Sequence, residues 1–105
     1  MPVPPDNVRR IARRGLRERE KWQDSGAEPP ATRVGVERAN QLANGENVSL
    51  RTLNRMVSFL ERHRENYKPG ERDSKGRLTK GTVSYLLWGG RAALTWARSQ
   101  INKLS

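Results

Sequence analysis

The sequence predicts an all-α fold, a compact bundle of four to five short helices around a central helical hairpin with the outline of a helix-turn-helix. Three observations predict it. Apolar residues recur at helical spacing in several segments. Pro29-Pro30, Gly45, Pro69-Gly70 and Gly89-Gly90 divide those segments. No stretch alternates apolar and polar residues between hairpin turn signals. A chain of 105 residues suits a single domain spanning 1–105, and a hydrophobic share of 33% predicts a thin core.

Residues 1–5 (Met1-Pro2-Val3-Pro4-Pro5) read as a flexible Pro-rich lead-in, without the apolar segment of a secretory leader. Asp6 reads as the N-cap of a first helix beginning at Asn7 or Val8. Val8, Ile11, Ala12, Gly15, Leu16 and Trp22 gather on one side of that helix. Arg10, Arg13, Arg14, Arg17 and Lys21 gather on the opposite side, flanked by Glu18 and Glu20. Like charges at i,i+4 destabilise an isolated helix by about 0.2–0.5 kcal/mol per pair, so such a stripe points to an anionic ligand or else to a solvated face.

Residues 23–31 carry two adjacent prolines and read as a loop. A second helix is expected from Thr32 to Asn44, with Val36, Ala39, Leu42 and Ala43 inward and Gly45 as its left-handed C-terminal residue. The third helix has Ser49 as N-cap and a hydrophobic staple of Val48 and Leu53. Leu50, Leu53, Met56, Val57 and Leu60 are expected on its buried face, with Phe59 at the margin. Arg51, Arg55, Ser58 and Arg62 line another face beside Asn54. The helix fades over His63 to Asn66, and residues 67–77 read as a polar, mobile connector. A short helix over Lys80 to Trp88 is broken by Gly89-Gly90, and a last helix runs from Arg91 to Lys103 with Ala93, Leu94, Ala97, Ile101 and Leu104 inward. Trp88 and Trp96 are expected to pack at this corner as core aromatics.

The charge balance points to the partner. There are 21 Lys and Arg against 11 Asp and Glu, a net charge of +10 at pH 7. A field of that size attracts polyanions, and the bias toward Arg suits bidentate phosphate contact. The excess is concentrated in the second half, where residues 53–105 hold 11 basic and 4 acidic side chains. No Cys is present, so disulfides, thiolate metal sites and Cys nucleophiles are excluded. His63 is the single histidine, and no nucleophile elbow, Walker loop or dinucleotide fingerprint occurs. No enzyme activity, catalytic residue, metal or cofactor is therefore expected, nor any membrane association, since no apolar run approaches the roughly 20 residues needed to span a bilayer.

Thr32 to His63 has the outline of a helix-turn-helix unit, but Gln41 occupies the small-residue position four before Gly45, and Arg51 the apolar position six after it. The segment reads first as a generic helical hairpin and second as a DNA reader. In the second reading, Arg51, Arg55 and Arg62 contact phosphates and Asn54 pairs with adenine. The expected nucleic-acid-binding residues are thus Arg10, Arg13, Arg14, Arg17 and Lys21 on the first helix and Arg51, Asn54, Arg55 and Arg62 on the third.

Three stretches carry a family resemblance: Asn7-Val8-Arg9-Arg10-Ile11-Ala12-Arg13-Arg14-Gly15-Leu16; Val34 to Ser49 running into Arg55-Met56-Val57-Ser58-Phe59 and Arg62-His63; and Lys75-Gly76-Arg77 with Leu86-Leu87-Trp88-Gly89-Gly90 and Trp96-Ala97. Together they resemble a small helical domain of tailed bacteriophages, notably cyanophages, found alone or attached to larger phage proteins. This chain has Arg91-Ala92 where an acidic residue would follow the glycines, and Leu60 where a second Phe is usual. The resemblance implies a phage origin, hence the cytoplasm of an infected bacterium or the virion, and implies no mechanism. The leading expectation is a nucleic-acid-binding protein, with DNA favoured over RNA. The alternative is a virion structural or host-takeover protein docking on an acidic protein surface, and a homo-oligomer would suit either role.

Overall fold

Local side-chain chemistry sets most helix starts. The Thr32, Ser49 and Thr79 hydroxyls accept the backbone N–H of Gly35, Thr52 and Thr82, at 3.4, 3.2 and 3.2 Å. In the computed structural model, which describes residues 2–104, these caps open α2 (Arg33–Ala43), α3 (Leu50–Arg62) and α4 (Lys80–Leu87). α1 (Asp6–Asp24) precedes them, α5 (Gly90–Leu104) follows, and one 3₁₀ turn covers Arg64–Asn66. The architecture is the all-α bundle expected from the periodicity. α1 begins differently from the expectation. Pro5 is its extended N-cap, and Asp6 is the first helical residue and makes no capping hydrogen bond. An acid in the first turn still favours the positive end of the helix dipole.

The lead-in is fastened where flexibility was expected. The Val48 N–H donates to the Pro2 carbonyl at 2.8 Å, and Pro4 is buried. Met1, the remaining residue of that segment, lies outside the described residues. The connector is tied down as well. The Asp73 carboxylate accepts the N–H groups of Lys75 and Arg77 at 3.0 and 2.9 Å, closing a small loop whose flanks meet in an isolated bridge between Arg72 and Leu78. Trp22 of α1 holds this loop from below, donating its indole N–H to the Leu78 carbonyl at 3.1 Å while the Arg77 guanidinium lies 4.0 Å over its ring.

Packing divides the bundle in two. α1 packs on α2 and α4, α3 packs on α5, and α5 also meets α1. α2 and α3, expected as a central hairpin, turn at Gly45 (φ +69) but barely touch each other. Their apolar faces pack mainly on other helices, that of α2 on α1 and α4 and that of α3 on α5. Val8, Ala12, Leu42, Leu53, Met56, Leu60, Leu87 and Ala97 fill the core. Two residues expected inward are not. Leu50 is 43% exposed because Val48 closes that end of the core, and Leu104 is 49% exposed at the last residue of α5. Two glycines make the packing possible. A Cβ on Gly15 would sit 2.8 Å from the Leu87 backbone nitrogen, so α1 and α4 meet backbone to backbone. Gly89, at φ +95, turns the chain from α4 into α5, and a Cβ there would come within 2.4 Å of the Ala93 Cβ.

Candidate nucleic-acid interface

The α1 stripe forms only in part. Arg10, Arg13, Arg17 and Lys21 are exposed and Arg14 is half-buried. Arg13, however, does not lie free opposite the apolar face. One of its terminal nitrogens donates to the Ala43 carbonyl at 2.9 Å, satisfying the last carbonyl of α2. Lys21 Nζ lies 3.2 Å from Glu18 Oε2. Arg10, Arg14 and Arg17 keep guanidinium groups with no hydrogen bond or ion pair to the chain among the described residues.

Glu18 explains part of that loss. It was expected to flank the stripe on the surface, yet it is 6% exposed. Arg72 Nη2 reaches its other oxygen at 3.5 Å. Burial pushes the Glu18 carboxyl up, but the hydrogen bonds and charges of Lys21 and Arg72 outweigh burial and hold it below the ordinary range. Glu18 therefore stays ionised and pairs with two cations whose side chains remain 49% and 40% exposed.

The α3 face is assembled differently. Arg51, Asn54, Arg55, Ser58 and Arg62, all exposed, line one open depression of about 480 Å³. Phe59 of α3 and Trp88 at the C-cap of α4 complete its lining, so all four residues expected on this helix come together around two rings. The rings stack, with centroids 4.5 Å apart and planes at 14°. Phe59 also touches the His63 ring at 4.4 Å. Arg51 and Arg55 have no hydrogen bond or ion pair to the chain among the described residues. Arg62 Nε donates to the Ser58 carbonyl at 3.3 Å, leaving its terminal nitrogens outward. The Asn54 amide donates one N–H to the Leu50 carbonyl at 3.1 Å, which leaves its carbonyl oxygen and second N–H for a base edge.

Sequence reasoning missed Arg38. It reaches the same corner from α2, with its guanidinium 5.5 Å from the Trp88 ring centre and a hydrogen bond to the Gln41 side chain. Its Nε is buried without a partner. Burial and the nearby Arg55 charge both lower its proton affinity, and Glu37 offsets this only in part. Arg38 thus lies beside the depression, against Trp88, and the depression has no carboxylate in its lining. Phe59 was expected at the margin of the buried face of α3 and Trp88 as a core aromatic. Their packing bears that out, but both also line the depression, which periodicity cannot reveal.

No family model, curated protein or solved structure matches the chain. Among the described residues no helix is long and apolar enough to cross a membrane, and no group of three or more acidic, His or Cys side chains gathers as a cation site.

Proposed function

We propose that this is a nucleic-acid-binding protein, acting on DNA, that meets phosphates through the α3 face, with the free arginines of α1 as a second, weaker contact. One observation carries the reading: Arg51, Arg55 and Arg62, with Arg38 beside them, surround a depression that no acidic residue lines. The single carboxylate of Glu18 takes up Lys21 and Arg72, and the α3 cations are left for an external anion. The sequence motifs support a bacteriophage origin, and we extend the proposal to an action on nucleic acid in the infected cell or the virion.

A gel-shift titration over a salt series tests this. Engagement of about four phosphates predicts a log–log salt slope of about −3.6 on duplex DNA and roughly −2.8 on a single strand. Absence of binding at low salt, or binding indifferent to salt, overturns the proposal. A pull-down from nuclease-treated host lysate separates it from docking on an acidic protein, because a stoichiometric partner that survives the treatment would replace nucleic acid as the ligand.

A further inference from the structure

We infer that the depression between α3 and the α4–α5 corner takes one unstacked nucleotide, so that the protein prefers single-stranded nucleic acid to duplex. This rests on the nucleic-acid reading above and specifies its ligand. A surface that contacted only duplex phosphates would need cations and nothing more. Here the α3 cations border Phe59 and, stacked nearly parallel to it, Trp88; Trp88 is 8% exposed and Phe59 half-buried, and both still line an open space. An apolar lining bordered by guanidinium groups suits a ligand with an apolar part and a negative charge a few ångströms apart. A nucleotide has that form, whereas paired and stacked bases keep their faces covered.

Size and polar chemistry agree. The depression, about 480 Å³, falls within the usual range for small-ligand sites, roughly 300–1,000 Å³. Asn54 offers an acceptor and a donor to a base edge, and the Ser58 hydroxyl lies on the same lining. Burial and the Arg55 charge lower the proton affinity of Arg38, which lies over Trp88, and a phosphate beside it would offset both. The α3 face also lines a concavity closed by another element, whereas a helix that reads a major groove must project into it.

The test uses fluorescence anisotropy with a labelled oligothymidylate and a labelled hairpin duplex, at low and high salt, on the full chain and on Ser58→Trp. Ser58 is exposed, so the substitution fills the depression without touching the core; circular dichroism checks that the helices are unchanged. Seating of one base in the depression predicts single-strand binding about fivefold to a hundredfold tighter than duplex binding, and Ser58→Trp should cut single-strand affinity more than duplex affinity and so abolish that preference. Duplex binding as tight as single-strand binding overturns the inference and leaves the nucleic-acid reading standing. So does a single-strand preference that Ser58→Trp does not change, since the nucleotide would then sit elsewhere. Failure of both probes to bind at low salt removes the nucleic-acid reading itself.

Discussion

α1 and α3 are both rich in arginine, yet the fold treats their charge in different ways. On α1, five cations follow one another at helical spacing, but one is bonded to the end of α2 and another to a buried glutamate. On α3, three arginines share a depression with two rings and have no carboxylate among its lining residues. The lesson is that a stripe counted along a helix measures potential charge. What a partner meets depends on what neighbouring elements have already claimed. A convex helix spreads its cations over solvent, where screening is strong, while a concave corner gathers them around one point.

The comparison can be broken first at its scaffold. Leu53 is fully buried on the inner side of α3 and holds that face against α5. Leu53→Ala should cost about 2–5 kcal/mol in chemical denaturation, a large part of the stability of a domain this small. A loss below about 1 kcal/mol would mean that α3 is not anchored as described. The second break is functional. Arg51→Glu with Arg55→Glu should weaken DNA binding about a hundredfold, as expected for two lost charge-assisted contacts of about 1.5 kcal/mol each. Arg14→Glu with Arg17→Glu should weaken it no more than about tenfold, and equal losses would put the two faces on one footing.

Arg13 sharpens the contrast on a smaller scale. Its bond to the Ala43 carbonyl makes it a structural residue of the α1–α2 contact. Arg13→Gln should lower stability by about 1 kcal/mol and leave DNA affinity almost unchanged, the reverse of the Arg14 and Arg17 pair.

The elements themselves were legible in the sequence because short-range chemistry makes them. Ser49 and Thr32 announce their helices, Gly45 ends α2, and Gly89 marks the bend before α5. The four candidate residues of α3 were legible for the same reason, since they lie on one helical face. Packing between distant segments was not. Nothing local tells Glu18 that Arg72 will reach it, or Arg13 that the end of α2 will lie beside it. Arg38 stayed hidden because its role arises only where α2 meets the rings of α3 and α4. Which helices α2 and α3 would pack on was not legible either, because a connecting turn fixes adjacency in sequence, while apolar faces choose their own partners.

Glu18 gives the finest test of how the α1 face loses its charge. A carboxyl held below its ordinary value of 4.5 binds fewer protons folded than unfolded, so its contribution to stability rises with pH. That contribution is complete above the ordinary value and fades as pH falls through it toward the lower folded value. Asp73, held down chiefly by the N–H of Arg77, adds a slope of the same sign in the connector. Thermal melts from roughly pH 6 to pH 3 should therefore show falling stability, less steep in Glu18→Gln than in the parent chain. The same variant frees Lys21 and Arg72 at neutral pH and should raise DNA affinity by no more than about threefold, the effect of weak surface charges in a screened setting. A Glu18→Gln chain with the parent's acid profile would show that the buried carboxylate does not hold those two cations.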